Sequence, residues 1–217
     1  AQATANAPYP FLDLAYRESC RQFLPRHALN TAKLALYIGQ AYGYSAQDLE
    51  LLAISALLCD VGMAKISPAI IQKPSALSPK DWEEIRHHPE KGALLLKKES
   101  SLWESIARAA FEHHEKADGS GYPHGLKGDE IHTFAKIINV VDTYEAMVSP
   151  RPYRLPMPAH EAMVYLAAEA EKGTVDRGVL RVFARCMSMY PVGSYLRLAT
   201  GETGIVIKPS AENVNRP

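Results

Sequence analysis

Residues 116–130 read KADGSGYPHGLKGDE, and this stretch constrains the fold more than any other part of the chain. Gly119, Gly121, Pro123, Gly125 and Gly128 fall so close together that no regular helix can run through them. The segment has to be a structured loop, and the elements on either side have to end against it. Those flanking elements read as helices. LNTAKLALYIGQAYG sets Leu29, Ala32, Leu36 and Gly39 or Tyr37 at helical spacing, with Gly43 as a stop. Ser45, with Asp48 three residues on, predicts an N-cap for an apolar helix over 46–59. Ser78 repeats that logic, with Pro79 at the first helical position and Asp81, Glu83 and Glu84 near the positive end of the helix dipole.

Further helices are predicted over 94–97, 102–114, 129–148, 159–172 and 176–189, so the fold class is all-α, a multi-helix bundle. The end of the chain differs. In GSYLRLATGETGIVIKP, Tyr195, Arg197 and Ala199 alternate with Leu196 and Leu198, a turn falls at Gly201, and an apolar run resumes over 205–207. This pattern predicts a small β-hairpin, which in water has to pack on the helices or on a larger β module. Three parts follow: an N-terminal segment over 1–22, a helical domain over 23–190 and a hairpin extension with tail over 191–217.

Charge narrows the function. Lys plus Arg and Asp plus Glu each total 24 in 217 residues, so the net charge is zero and no broad field draws the chain to DNA or to anionic lipid. An anionic ligand would have to be held by a few local charges. Cys20, Cys59 and Cys186 are odd in number and far apart, which argues against a disulfide framework and for the cytoplasm. No apolar run approaches the ~20 residues needed to cross a bilayer. The opening AQATANAPYP lacks an initiator Met, which fits a processed terminus or, as the preferred reading, a domain cut from a longer protein.

Metal-ligand residue types gather at helix ends and around the Gly-rich loop. His27 opens one helix, Cys59 and Asp60 close another, His88 precedes Pro89, and His113 and His114 lead into the loop. Asp142 lies among Ile137, Ile138, Val140 and Val141, where an unpaired charge would be very costly. Imidazole and carboxylate together suit Fe, Mn or Zn, and several doublets separated by apolar helices point to one central site. His87, His124, His132 and His160 have no comparable context.

HHEKADGSGYPHGLKGDEI closely resembles the signature of HD-GYP domains, a branch of the HD phosphohydrolase superfamily. The match includes His113, His114, Glu115, Asp118, Gly119, Gly121, Tyr122, Pro123, Gly125, Leu126 and Gly128 in unbroken register. The likeness extends through KPSALSPKDWEEIRHHPEKGALLL, INVVDTYEAMVSPRPYR and the His27 segment, over roughly residues 20–190. It implies an HD-type helical bundle and a metal-dependent phosphodiesterase that hydrolyses cyclic di-GMP, a bacterial second messenger, to pGpG or GMP. By position it implies His27, Asp60, His88, His113, His114 and Asp142 as ligands, with Asp60 the shared, catalytic carboxylate. It also implies Arg151, Arg154 and the Gly121, Tyr122, Pro123 triplet as substrate-binding residues. Diguanylate cyclase-type or other signalling proteins are the partners such a domain implies.

The family writes His-Asp followed by Gly-Lys, and this chain writes Cys59-Asp60 followed by Gly62-Met63. A thiolate at Cys59 is a competent ligand, and a small buried hydrophobe is the equal alternative. Two divalent transition metals are therefore expected, Fe or Mn with Zn acceptable, and one only if Cys59 does not ligate. Phe23 stands where some trinuclear members carry a glutamate, which argues against a third metal. Lys65 is a candidate to replace the charge absent at Met63, although an ordinary solvent lysine is the simpler reading. Two functions follow: a phosphodiesterase with reduced activity, or a degenerate domain that senses a cyclic dinucleotide or binds a protein.

Overall fold

The computed structural model describes residues 23–71, 73, 75–96, 101–150, 155–187 and 195–208. The N-terminal segment over 1–22 and the candidate substrate residues Arg151 and Arg154 lie outside them. In chain order the elements are α1 (Phe23–Ala41), α2 (Ala46–Leu58), a 3₁₀ turn (Val61–Lys65), α3 (Pro68–Ile71), α4 (Pro79–Arg86), α5 (His88–Leu96) and α6 (Ser101–Glu112). A second 3₁₀ turn (Gly128–Glu130), α7 (Thr133–Val148), α8 (Ala159–Lys172), α9 (Arg177–Met187), β1 (Tyr195–Arg197) and β2 (Thr203–Ile205) complete them. The helical bundle with a small terminal hairpin is thus as the sequence predicts.

α7 is the hub. Phe134, Ala135, Ile137, Ile138, Val140, Val141, Tyr144, Met147 and Val148 are buried around most of its circumference, and it packs against α1, α2, α6, α8 and α9. A helix that is apolar nearly all round belongs at the centre of a fold. Any carboxylate it carries is therefore drawn into the interior. Ile38, Leu52, Leu166 and Phe183 join it in the main core, while Leu96, Ile106, Ala107 and Ala110 form a smaller cluster under α5 and α6.

Local signals set several boundaries. The Ser45 side chain accepts a hydrogen bond from the Asp48 backbone N–H at 3.1 Å, and Ser78 and Asp81 form a reciprocal capping box. α5 is longer than the sequence pattern suggests, starting at His88. α7 starts at Thr133 and not near Asp129, because the His132 backbone N–H is taken by Glu112 at 2.6 Å while its ring accepts from Phe134 N–H at 3.2 Å. α6 stops at Glu112, which leaves His113 and His114 in the following turn, off the helix.

The hairpin pairs Tyr195 with Ile205, Leu196 with Gly204 and Arg197 with Thr203. Gly201 takes φ +91°, as the tight turn requires. Tyr195 and Ile205 face water, whereas Val206 just beyond β2 is buried. No helix among the described residues is long and apolar enough to cross a membrane.

Candidate metal centre

Five segments bring their side chains to one place. α1 carries His27 and α7 carries Asp142 from the core side; the turn after α2 carries Asp60, the first residue of α5 is His88, and the turn after α6 carries His113 and His114. The Asp60 turn is pinned to α5 by a backbone approach that only glycine permits. A Cβ on Gly62 would lie 1.9 Å from the His88 carbonyl oxygen and 2.5 Å from Gly92 N. Any larger residue would push Asp60 away from His88.

Among the described residues, two sets of ligand atoms converge: Asp60 with His88, His113 and His114, and His27 with Asp60 and Asp142. Asp60 belongs to both. Its Oδ1 lies 3.1 Å from His88 Nε2 and 3.8 Å from His113 Nε2, while its Oδ2 lies 3.6 Å from His27 Nε2. Each oxygen thus serves a different half of the site.

The ring hydrogen bonds show what the four-donor half is suited to hold. His88 Nδ1 is 2.7 Å from the Ile85 carbonyl and His113 Nδ1 is 2.7 Å from the Ala110 carbonyl. A carbonyl only accepts, so both Nδ1 atoms carry hydrogen, and in the neutral rings both Nε2 atoms turn lone pairs inward. Burial opposes charge on His113, but Asp60 outweighs it and raises its pKa. The two Nε2 atoms stand 3.3 Å apart, beside the Asp60 carboxylate. Facing lone pairs are satisfied only by a proton or a metal cation between them. Burial keeps His114 well below the ordinary histidine range, with His113 as the next cause, so it too offers a neutral lone pair. Three imidazoles and a carboxylate are a donor set that fits a divalent transition metal.

The three-donor half is held differently. His27 Nδ1 donates to Glu145, and His27 Nε2 lies 2.7 Å from Asp142 Oδ1. Glu145 also accepts from Asn30 Nδ2 at 3.0 Å and from the Ser149 hydroxyl. Burial opposes charge on His27, but the carboxylates of Asp142 and Glu145 outweigh it and raise its pKa to about 10. Burial likewise opposes ionisation of Asp60 and Asp142, yet the histidines beside them hold both carboxyls below the ordinary range. The half is a cation-seeking pocket of two carboxylates and one ring, fixed by a further carboxylate behind the ring.

Cys59 belongs to neither set. Its thiol points back along α2 to the Ala56 carbonyl at 3.3 Å, and the residue is 1% exposed. Burial, with Asp60 and Asp142 nearby, pushes that thiol well above its usual pKa. Cys59 keeps helical backbone angles (φ −56°, ψ −37°), while Asp60 leaves the helix at φ −92°, ψ 8°. Adjacent residues therefore aim in different directions. Met63 is half-buried and Lys65 exposed in the 3₁₀ turn that follows.

The Gly-rich loop closes over the four-donor half. Glu115 is buried, and its carboxylate accepts backbone N–H groups from His124 at 2.7 Å, Gly125 at 3.1 Å and Leu126 at 3.0 Å. Gly121 lets the loop fold onto its own start: a Cβ there would lie 2.3 Å from Lys116 N. The Tyr122 to Pro123 peptide is cis, and the Tyr122 ring stacks on His114 with centroids 4.8 Å apart.

Sequence reasoning missed Glu145, Asn30 and Arg86. Glu145 and Asn30 each lie three residues after a candidate ligand on the same helix, a spacing that shares a face. Arg86 lies two residues before His88, with its guanidinium carbon 5.5 Å from the centre of the Tyr122 ring.

With this geometry in hand, a family model described as an HD domain matches residues 13–179. The chain belongs to the HD domain family. The HD-GYP likeness of its loop agrees with its curated relatives. A cyclic di-GMP phosphodiesterase of Pseudomonas aeruginosa is 28% identical over 210 residues, covering 97% of this chain and 50% of that protein. A 3'3'-cGAMP-specific phosphodiesterase of Vibrio cholerae is 36% identical over 145 residues, 65% of this chain and 31% of its own length. A cyclic di-GMP phosphodiesterase of Thermotoga maritima is 37% identical over 138 residues, 63% and 38% respectively. The chain thus spans half or less of the length of these relatives.

Among solved structures, an HDG"Y"P protein from Bdellovibrio bacteriovorus superposes with a TM-score of 0.60 at 20% identity, covering 74% of this chain and 51% of that one. The HD domain of a Listeria monocytogenes phosphodiesterase in complex with cyclic-di-AMP gives 0.52 at 17% identity, covering 74% and 85%. At such identities the likeness speaks for the HD fold.

Proposed function

We propose that this HD domain is the hydrolase unit of a metal-dependent cyclic-dinucleotide phosphodiesterase, with cyclic di-GMP opened to pGpG and onward to GMP. The observation that carries the reading is the division of Asp60, one oxygen facing His88 and His113 and the other facing His27. His88, His113, His114 and Asp60 would hold one divalent ion; His27, Asp60 and Asp142 would hold a second, more weakly, with Fe or Mn preferred over Zn. When bound, such ions supply positive charge to the phosphoryl oxygens and make a water molecule acidic enough to attack at neutral pH.

In the reaction, water adds to phosphorus and the P–O3′ bond opens, leaving a 5′-phosphate and a 3′-hydroxyl. Asp60 is kept ionised by His113 and His88 and so holds no proton to lose at neutral pH. Glu145 fixes the His27 ring through Nδ1, and the Ile85 and Ala110 carbonyls do the same for His88 and His113. Burial keeps the Tyr122 phenol protonated, with Asp142 and Asp60 pushing in the same direction, so its O–H remains a donor at the site mouth. Arg151 and Arg154, suited to grip phosphate as guanidinium forks, belong to the same proposal with Gly121, Tyr122 and Pro123. A reducing, cytoplasmic setting is also part of it, supported by the free thiols of Cys59 and Cys186.

A second reading, binding without turnover, is favoured by one observation: the Cys59 thiol lies 3.3 Å from the Ala56 carbonyl and joins neither ligand set. The two readings separate in one assay. Metal-supplemented protein is incubated with cyclic di-GMP and the products are resolved by chromatography. Conversion to pGpG or GMP that Asp60→Ala abolishes is the expected result; tight binding with no product favours the sensor, and turnover unchanged in Asp60→Ala excludes the proposed centre.

A further inference from the structure

We propose that Arg86 is a substrate-binding residue, a guanidinium held on the face of Tyr122 to grip a phosphate of the dinucleotide beside the four-donor half. The inference rests on the phosphodiesterase reading and adds a residue to it. Arg86 ends α4, two residues before His88. A run of ring contacts joins it to the ligands: His113 to His114 at 4.1 Å, His114 to Tyr122 at 4.8 Å and 25° between planes, and Tyr122 to the Arg86 guanidinium carbon at 5.5 Å.

The charge of Arg86 is left available. Three of the nearby acids of α4 and α5 are engaged by other cations, Asp81 by Lys73 at 2.5 Å, Glu84 by Lys91 at 2.5 Å and Glu90 by His87 at 3.1 Å, while Glu83 of α4 is exposed. No carboxylate pairs with Arg86 among the described residues, and its side chain is exposed. A guanidinium lying against an aromatic ring spends its flat face on the contact and keeps its N–H edge for a ligand. That edge matches two oxygens of one phosphate, which a lysine ammonium does not.

The electrostatics of the site call for such a group. Asp60, Asp142 and Glu145 gather acid at its floor, and a cyclic dinucleotide brings two phosphodiester charges of the same sign. The exposed Arg86 sits by the loop that covers this floor and meets the incoming anion from the solvent side.

The test compares wild type, Arg86→Ala, Arg86→Lys and Tyr122→Leu as metal-loaded full chains, with metal content measured alongside. For cyclic di-GMP hydrolysis, Arg86→Ala is expected to raise KM about tenfold to a hundredfold, as loss of a charge-assisted contact does, with kcat nearly unchanged and metal content intact. Arg86→Lys should recover only part of the loss, and Tyr122→Leu should reproduce part of it. Inorganic phosphate, as a second probe, should bind Arg86→Ala more weakly than wild type. Equal KM and equal phosphate affinity in wild type and Arg86→Ala would overturn the proposal. If wild type keeps its metal yet ignores cyclic di-GMP, the phosphodiesterase reading fails, and the phosphate comparison still decides Arg86.

Discussion

The two halves of the metal centre share Asp60 and are built in different ways. In the half around His88, the rings are fixed by backbone: His88 by the Ile85 carbonyl and His113 by the Ala110 carbonyl, each three residues earlier in the chain. In the half around His27, the ring is fixed by the side chain of Glu145 on a different helix, itself steadied by Asn30 and Ser149. Local backbone geometry makes the first half hard to disturb by substitution, whereas the second depends on α1 and α7 staying in register. The first has four donors and the second three, with the thiol of Cys59 in neither. On the proposed reading, uneven affinity would follow, with one ion held firmly and one held loosely.

The largest effect is expected at the shared residue. Asp60→Ala should remove ligand atoms from both halves at once, abolishing turnover and stripping metal from the purified protein, as read by elemental analysis. A variant that loses only the weaker ion would show that the halves are independent. Next comes the support of the weaker half. Loss of an outer hydrogen-bond partner of a ligating histidine typically costs 10–100-fold in metal affinity, so Glu145→Ala should weaken the second ion by about that factor. The first ion should keep its affinity in the same titration. Cys59→His is expected to act in the opposite sense, raising affinity for the weaker ion by about tenfold through a fourth donor. An unchanged titration would place residue 59 outside the site whatever its side chain.

The smallest effect serves as a control from outside both halves. Lys73, together with the backbone and hydroxyl of Ser78, lowers the Asp81 pKa from 3.8 to about 2. A carboxyl depressed in the folded state adds stability above its unfolded pKa and loses it as the pH falls through the folded one. Asp81→Asn should therefore lower the thermal midpoint slightly above about pH 4, and the difference should vanish toward about pH 2. Neither ion's affinity should move. A change in metal binding would mean that α4 communicates with the centre.

Much of this comparison was legible in the sequence, and the unread part has a physical cause. Ser45 and Ser78 announce their helices because a cap acts within one turn, and the HD-GYP likeness over roughly residues 20–190 pointed to His27, Asp60, His88, His113, His114 and Asp142, which the fold brings into two converging sets. Gly201 likewise marked the hairpin turn. Glu145 was not read, because in TYEAM it looks like any helical acid until α1 is packed against α7 and His27 meets it. The direction of Cys59 was undecidable for a related reason. Its neighbour Asp60 leaves the helix and Cys59 does not, a divergence in backbone angles that residue identities do not encode. α7 was placed four residues early because the tertiary bond from Glu112 to His132 N–H sets its start.

The most direct test is the metal stoichiometry of the purified chain, supplemented with Mn or Fe under anaerobic conditions and then dialysed, for wild type and Asp60→Ala side by side. The account predicts about one firmly held ion per wild-type chain, a second that appears only with excess metal, and neither in Asp60→Ala. A wild-type chain that retains no metal after supplementation, or an Asp60→Ala chain that retains as much as wild type, would contradict it.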